Sequence, residues 1–310
     1  MKACSWRYFL LAILAVSCQS GQEETATSGH LRLLIAESVA PVIEQEVTEF
    51  MNLYGPRGAD VTYTIVNAYE ANKRFINDTV RAIVTTIPLT AAEKNLVSKT
   101  TEHLAEIVLA YDGVVGIVHR QNPREKLTLD QIRGILTGRF TSWEQLGRVK
   151  TTQGTIHLVL EDSSDVALYL SQRILGGKTT FSGHRESRSP RETLERVGND
   201  PLALGFVGLN WVESAGTSVK VLTLAADSAT ADTAFKPPAE SIGNFYSPHP
   251  AHLYLNYYPM KRAITIYART TPGDFATGFA SFLASPAGQK IFLDRGLLPA
   301  TQKIVLRRPE

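Results

Sequence analysis

Hydroxyl residues stand directly before three predicted helices, where they could bind a small anion. A helix N-terminus offers unpaired backbone N–H groups and a partial positive charge, and serine or threonine hydroxyls add further donors. The residues at these starts are Ser38 and Val39, Thr85 and Thr86, and Ser163 and Ser164. Such a set could bind an oxyanion without a metal or a cofactor. Taken singly, each hydroxyl is better explained as the N-cap of its own helix.

The histidines give no comparable indication of catalysis or of a metal site. Seven are scattered along the chain, and His249 and His252 form the one close pair, in the proline-broken loop 247–252 without a nearby carboxylate. A zinc site needs more ligands in a regular arrangement. The sequence contains no nucleophile elbow, phosphate-binding glycine loop or dinucleotide fingerprint. It therefore predicts a protein that is not an enzyme and that holds no metal or cofactor.

The elements that position these residues alternate between short apolar runs and segments of helical periodicity. The apolar runs predict strands at Leu31–Ala36, Val61–Val66, Ala82–Ile87, Ala105–Ala110, Val114–Val118, Ile156–Leu160, Ala203–Val207, Val219–Leu224, Leu253–Tyr258 and Ala263–Ala268. Helical spacing and capping residues predict helices over 39–51, from Thr90, over 128–136 and 165–175, from Ser189, and over 275–284 and 286–295. This alternation predicts a mostly parallel α/β architecture, with residues 225–250 as a loop or insertion.

Several segments occur in the order found in one known family. They are 36–41, 85–90, 111–118, 127–138 with Thr141-Ser142-Trp143, 203–208, and 258–262 with 285–290. In this order they resemble the phosphate-binding proteins of bacterial ABC importers, and the resemblance covers nearly all of residues 31–308. It implies capture of a small oxyanion, with phosphate favoured, for ABC permease and ATPase subunits.

The resemblance also implies a two-lobed α/β fold, that of a type II periplasmic binding protein. Lobe 1 would comprise residues 31–111 and 259–310, and lobe 2 residues 112–258. Two crossover strands would join the lobes, with hinges near Tyr111–Gly113 and Tyr257–Arg262. In such a fold the ligand lies in the cleft between the lobes, which close around it by hinge motion.

By the same resemblance the three helix starts would meet in one cleft. The predicted ligand-binding residues are Ser38, Val39, Thr85, Thr86, Asp162, Ser163 and Ser164. The third loop departs from the family pattern, because Leu160 stands in place of an arginine, Asp165 in place of a glycine and Val166 in place of a threonine. Glu37 and Ile87 alter the first two turns.

These departures remove positive charge and add carboxylates, which should weaken a site for a dianion. A desolvated, unpaired carboxylate in the cleft could cost several kcal/mol. Arg185, Arg188 or Arg191 could compensate if the helix beginning at Ser189 faced the cleft. The alternative, which the charge pattern favours, is that these arginines form a solvated face.

The N-terminal segment predicts export. The apolar run from Tyr8 to Val16 follows Lys2 and Arg7 and has the build of a signal peptide over residues 1–17. The small residues before Cys18 resemble a bacterial lipobox, although Ala15 stands where that motif usually has leucine. Cys18 would then carry a lipid anchor facing the periplasm or cell exterior, and residues 18–30 would be a flexible tether. The alternative is an ordinary cleaved signal with an incidental cysteine.

Composition narrows the classes of partner. The 310 residues are 44% hydrophobic and 20% charged, with a net charge of +2. Loss of Lys2 and Arg7 with the signal would leave equal numbers of basic and acidic side chains, which argues against a nucleic-acid binder. Cys18 would be the one remaining cysteine, so no internal disulfide could form. We expect a monomer that contacts the membrane through its lipid anchor alone.

The altered loops leave a second function open. The chain could be a phosphate-binding-like scaffold with changed specificity, acting as a sensor or as an interaction module at the cell surface. The intact hinge segments argue against this alternative, since closure matters only when something is bound. Aromatic residues near the second hinge could line a pocket for an organic ligand, or simply pack the hinge. They are Phe245, Tyr246, Tyr254, Tyr257 and Tyr258.

Overall fold

A computed structural model describes residues 24–100, 103–147, 153–178, 180–227 and 236–302. Its strands are β1 (Gly29–Ala36), β2 (Ala59–Val66), β3 (Ala82–Thr85), β4 (His103–His119), β5 (Lys126–Thr128), β6 (His157–Leu160), β7 (Arg185–Glu186), β8 (Ala203–Gly208), β9 (Val219–Val221), β10 (Thr223–Ala225), β11 (Lys261–Thr270) and β12 (Leu298–Pro299). The predicted signal peptide, Cys18 and most of the tether lie outside the described residues.

Nine α-helices accompany these strands in the described part of the chain. They are α1 (Ala40–Tyr54), α2 (Ala68–Ile76), α3 (Ala91–Val97), α4 (Leu129–Leu136), α5 (Asp165–Leu175), α6 (Pro190–Gly198), α7 (Pro250–Tyr254), α8 (Phe275–Ala284) and α9 (Pro286–Asp294). Thr90 and Thr128 each complete a capping box, and Ser164 and Ser189 each cap a helix through their hydroxyls. Local capping chemistry thus sets the helix starts that the sequence predicts.

Ten of the described strands form one mixed sheet. Its main path runs β2-β1-β3-β11-β4-β8-β6-β7, and β9 and β12 pair with β4. We call β1, β2, β3 and β11 the β1 side, and β6, β7 and β8 the β6 side. Strands are parallel within β1–β2, β1–β3, β6–β7 and β6–β8, whereas β11 and β8 run antiparallel to β4. The prediction of a mostly parallel sheet is therefore too simple.

The strand β4 joins the two sides of the sheet without interruption. Its first part pairs with β11 up to Gly113 opposite Lys261, and its second part pairs with β8 from Val114 opposite Gly208. The prediction of two strands separated by residues 111–113 is wrong, because these residues keep their ladder pairing. The change of partner nevertheless falls at the predicted first hinge.

The prediction of a strand at Leu253–Tyr258 is also wrong. Pro250 begins the short helix α7, and the chain then turns back so that the Tyr258 hydroxyl donates to the carbonyl of Val114 at 2.9 Å. Of the side chains that suggested a strand, Leu253 and Tyr258 are buried at this turn, whereas Tyr254 and Leu255 are exposed. Similarly, the predicted strand Val219–Leu224 is divided into β9 and β10. Helix α2 was not predicted.

Aromatic packing fixes helix α1, which follows the predicted ligand-binding residues Ser38 and Val39. The ring of Phe50 on α1 lies with its centroid 4.8–5.6 Å from those of Tyr54, Phe275, Phe279 and Phe282. Tilted and edge-to-face contacts of this kind add to the energy of burial. Helix α1 is thereby held against α8, which fixes the position of its N-terminal end. Among the described residues, no helix is both long and apolar enough to cross a bilayer.

Glu46 on α1 should make stability depend on pH. Its side chain is fully buried, neither carboxylate oxygen has a hydrogen-bond partner among the described residues, and burial together with Glu49 raises its pKa from 4.5 to about 9. The folded chain thus retains a proton that the unfolded chain releases. We expect the free energy of unfolding to decrease between about pH 5 and pH 9, by up to about 1.4 kcal/mol per pH unit.

Urea unfolding at pH 5, 7 and 8 checks this expectation. The Glu46→Gln variant should show a shallower pH dependence than the wild type, because its amide does not titrate, while the contribution of Glu161, whose pKa is raised to about 8, remains. Glu195→Gln, an exposed change on α6, is the control and should follow the wild type. Parallel curves for the wild type and Glu46→Gln would contradict the assignment.

Candidate functional site

A small cavity lies where the β1 side and the β6 side of the sheet face each other. Its lining includes Ser38, Asn67, Glu161, Ser164, Asp165 and Thr193. Ser38 precedes α1, Asn67 caps α2, and Asp165 is the first residue of α5, so several helix starts meet here. The cavity volume of about 10 Å³ is close to the space that one water molecule needs. Among these residues the two sides therefore leave space for about one water molecule.

The carboxylate of Asp165 is the centre of a convergent set of donors. The hydroxyls of Ser38 and Thr86 both donate to its Oδ2 atom, and Nη1 of Arg262 lies 3.2 Å from the same atom. The Asp165 residue is 4% exposed, and its Oδ1 atom is buried without a hydrogen-bond partner among the described residues. Two hydroxyls and one guanidinium therefore hold one carboxylate oxygen across the cleft.

Arg262 bridges two buried acids. Its Nε and Nη2 atoms donate to Oδ2 of Asp112 at 3.1 and 2.9 Å, while Oδ1 of Asp112 accepts from the backbone N–H of Leu209 at 3.0 Å. Burial disfavours the guanidinium charge, but Asp165 and Asp112 outweigh it and hold the pKa of Arg262 above its ordinary value. A rigid, permanently charged fork is suited to two acceptors in different directions.

Backbone carbonyls of the first turn also bind the β6 side. The side-chain amide of Asn210 donates to the carbonyl of Ser38 at 2.8 Å, and Nε1 of Trp211 donates to the carbonyl of Glu37 at 3.0 Å. Both donors follow β8 directly, whereas Glu37 and Ser38 follow β1. These bonds, together with the Asp165 contacts, connect the two sides across the cleft.

Two further acids border the cavity. Burial, reinforced by the charges of Glu37, Asp165 and Glu192, raises the pKa of Glu161 to about 8. Burial and the Asp165 charge raise the pKa of Glu37 as well. At neutral pH Glu161 thus carries a proton, so the cavity has less negative charge than its sequence suggests. A protonated carboxyl can also donate a hydrogen bond.

We call Ser38, Thr86 and Arg262, which all contact Asp165, the donor cluster. The structure brings only some of the predicted ligand-binding residues to this cluster. Ser38 and Thr86 donate directly to Asp165, as described above. The hydroxyl of Thr85 accepts from the N–H of Ile87 at 3.2 Å, and Val39 is buried in the core. Ser164 borders the cavity, but its hydroxyl accepts from Ala167 N–H and donates to the carbonyl of Glu161. Its main role is therefore that of an N-cap.

Asp162 and Ser163 lie away from the donor cluster. Both are exposed, and Oδ1 of Asp162 lies 2.6 Å from Nε2 of His184. The geometry pairs Asp162 with a histidine instead of with the cleft donors. Their predicted binding roles remain predictions, without a contact that supports them.

The basic residue of the site was missed in the sequence. Arg185, Arg188 and Arg191 are all exposed, and Arg185 and Arg188 lie within salt-bridge distance of Asp200 and Glu192. They belong to a solvated face. The positive charge comes instead from Arg262, the second residue of β11. The signal that could have identified it was a pair of basic residues, Lys261 and Arg262, at the start of a strand that is buried along nearly its whole length.

The histidine loop is explained by local structure. Nδ1 of His249 accepts from the N–H of Ala251 at 3.2 Å and so caps α7, while Nδ1 of His252 lies 2.9 Å from the carbonyl of Ser247. Within the described ranges, no group of three or more His, Cys, Asp or Glu side chains is arranged to hold a metal ion.

Comparison with known proteins places this geometry in context. The family model described as the PBP superfamily domain matches residues 20–287. The phosphate-binding protein PstS of Borreliella burgdorferi is 22% identical over 301 residues, which cover 94% of this chain and 96% of that protein. Protein SphX of Synechococcus elongatus is 22% identical over 302 residues, covering 94% of this chain and 84% of that protein.

Solved structures share the architecture. A Clostridium perfringens protein described as a phosphate ABC transporter substrate-binding protein, with bound phosphate, superposes with a TM-score of 0.71 at 21% identity. The match covers 88% of this chain and all of that one. An ABC-type phosphate transport receptor from Vibrio cholerae gives a TM-score of 0.60 at 20% identity, covering 87% of this chain and all of that one. At these identities the likeness establishes the fold alone.

Proposed function

The chain belongs to the PBP superfamily, and from that premise we propose that it captures a small oxyanion, with phosphate as the favoured ligand, for an ABC importer. The ligand would be held between two lobes, residues 31–111 with 259–310 and residues 112–258. Ser38, Thr86 and Arg262 would supply its main contacts. The two-lobed α/β fold of type II periplasmic binding proteins provides the cleft and the crossing strands.

The observation that carries this proposal is the convergence of three donors on one point. Ser38, Thr86 and Arg262 come from three separate segments, yet all contact one oxygen of a carboxylate. Hydroxyls and a guanidinium in this arrangement favour an anionic oxygen, and charge-assisted hydrogen bonds are stronger than neutral ones. The set needs no metal to bind an oxyanion.

The relatives support phosphate as the ligand. Proteins named for phosphate binding or phosphate transport match this chain over nearly its whole length, in sequence and in fold. We extend the proposal to delivery of the ligand to permease and ATPase subunits by a monomer. We further propose that the mature chain is exported and tethered by a lipid on Cys18.

A second candidate function is supported by the acids of the cleft. Glu37, Glu161 and Asp165 border the cavity, and the exposed arginines of the β6 side lie on a solvated face. A cleft with this charge balance suits a protein of altered specificity, acting as a sensor or an interaction module at the cell surface.

Thermal unfolding of residues 19–310, stripped of bound ligand, separates the two functions. Phosphate at 100 times its dissociation constant should stabilise the fold by about 2.7 kcal/mol, which raises the midpoint by several degrees in a chain of this size. Sulfate, molybdate and citrate are the competing ligands, and chloride at equal ionic strength is the control. A shift specific to phosphate is expected.

A variant lacking both cleft hydroxyls tests where the anion binds. Ser38→Ala combined with Thr86→Val should abolish the phosphate shift, whereas Thr62→Val, an exposed change on β2, should retain it. If none of the oxyanions shifts the wild-type midpoint, the second candidate function is favoured.

A further inference from the structure

The Asp165 carboxylate makes the contacts that a bound oxyanion would make. Its Oδ2 atom accepts from Ser38 and Thr86 and lies 3.2 Å from Nη1 of Arg262. These are the three donors assigned above to the ligand. Asp165 itself belongs to α5, on the opposite side of the cleft from Ser38 and Thr86.

We propose that Asp165 is an intrachain occupant of the oxyanion site, which an arriving ligand must displace. The proposal rests on the proposed function, because it assigns the same three donors to the ligand. It makes Asp165 a residue that sets the affinity of the cleft, and a contact that closes the cleft without ligand.

Hydrogen-bond capacity makes the two occupants exclusive. A serine or threonine hydroxyl has one proton to donate. Ser38 and Thr86 each use that proton on Asp165, so neither can donate to a ligand at the same time. Nε and Nη2 of Arg262 are likewise engaged with Asp112.

Limited space and like charge also prevent Asp165 and a ligand from occupying the site together. The cavity beside Asp165 has a volume of about 10 Å³, which leaves no room for a tetrahedral oxyanion while the carboxylate is in place. Two negative groups at the same donors would also repel each other strongly in a poorly hydrated site. A ligand therefore binds only when the Asp165 side chain moves out.

The contact is also incomplete, which allows it to be displaced. Oδ1 of Asp165 is buried without a hydrogen-bond partner among the described residues. A buried oxygen without a hydrogen-bond partner costs free energy, which destabilises the arrangement in which the Asp165 carboxylate occupies the site. Movement of the carboxylate to water would relieve this cost, whereas a ligand could use all three donors.

Asp165 closes the cleft because its partners lie across it. Helix α5 follows β6, whereas Ser38 follows β1 and Thr86 follows β3. The bonds from Asn210 to Ser38 and from Trp211 to Glu37 span the same boundary. The carboxylate thus stabilises the closed arrangement in the absence of a ligand. In a cleft without this contact, only a bound ligand would add such ionic contacts between the two sides.

Titration calorimetry with inorganic phosphate tests the proposal. Asp165→Gly removes the side chain, and Asp165→Asn removes the charge while keeping its size. Each variant should bind phosphate at least tenfold more tightly than the wild type, equivalent to about 1.4 kcal/mol. Asp130→Asn, a change of equal charge at a half-exposed position on α4, is the control and should match the wild type. Small-angle scattering of ligand-free protein should show expansion of Asp165→Gly and compaction on adding phosphate.

Each outcome bears on the two proposals separately. Wild-type binding with no gain in either folded variant would overturn the role of Asp165 and leave the proposed function in place. Binding by Asp165→Gly but not by the wild type would support the role of Asp165 and remove phosphate as the ligand of the unaltered chain. Absence of binding in all folded proteins would overturn both proposals. Equal radii of gyration for ligand-free wild type and Asp165→Gly would overturn the closing role.

Discussion

Replacing Arg262 by methionine should lower the free energy of unfolding by about 3–5 kcal/mol, the range measured when one partner of a buried ion pair is removed. The Arg262 side chain is 4% exposed, and its acidic partners Asp112 and Asp165 are 0% and 2% exposed. Methionine fills a similar volume but provides no donor. The change therefore leaves two buried carboxylates without a cation.

Chemical denaturation at pH 7 measures this loss, and two further variants identify its cause. Arg139→Met is the control, because Arg139 pairs with Asp130 at 2.7 Å with both side chains about half exposed, and such surface pairs contribute about 0–1 kcal/mol. Adding Asp165→Asn to Arg262→Met should recover part of the loss, because it removes one of the two uncompensated charges.

Arg262→Lys should give an intermediate result. Lysine keeps the charge, but its ammonium cannot reproduce the fork that reaches Asp112 and Asp165 together. If Arg262→Met were no more destabilising than Arg139→Met, the buried pairs would not support the fold. Phosphate binding should be lost in Arg262→Met whether or not Asp165 occupies the oxyanion site. Among the described residues, no other cation contacts Asp112 and Asp165.

The helix starts of the site were predictable because strand ends and the beginnings of helices leave local patterns in the sequence, although neither Ser38 nor Thr86 itself caps a helix. Ser38 and Thr86 were identified from the segments that follow them, and both prove to be cleft donors. Ser163, taken from a helix start, and Asp162, taken from the family pattern of the third loop, are both exposed, and their binding roles remain predictions, since sequence position does not say which side of a turn faces the cleft. A capping motif therefore locates a helix end more surely than it locates a ligand.

The pairing of Arg262 with Asp112 and Asp165 could not be derived locally. Asp112 and Arg262 are 150 positions apart and meet because β11 lies beside β4 in the sheet, whereas Asp165 reaches Arg262 from α5. Asp165 was recognised as an added carboxylate, but its partners depend on closure of the two sides. In the same way, residues 111–113 were predicted to separate two strands, because a buried charge such as that of Asp112 is unusual in a strand. The partner that stabilises this charge comes from β11.

Gly208 leaves no space for a side chain where the β1 side and the β6 side of the sheet meet. The Gly208→Ala variant therefore tests how closely these two sides approach each other. A Cβ atom at this position would lie 2.8 Å from Oδ2 of Asp112, 2.9 Å from Nη2 of Arg262 and 3.0 Å from the backbone carbonyl of Ser38. Its φ of −70° is open to any residue, so the requirement for glycine is one of space alone. The carbonyl of Ser38 is backbone and cannot move aside by rotating a side chain.

We therefore expect Gly208→Ala to cost about 1–3 kcal/mol through overpacking and to expand the ligand-free protein in small-angle scattering. Gly116→Ala is the matched control, because it also lies in a strand and its Cβ would meet no atom nearer than 3.5 Å. That variant should keep the wild-type radius and stability within about 1 kcal/mol. The same compact radius for Gly208→Ala would mean that the junction adjusts without opening. Expansion in Gly208→Ala but not in Gly116→Ala would show that the close approach at Gly208 holds the two sides together. At this point Ser38 meets the ion pair formed by Asp112 and Arg262.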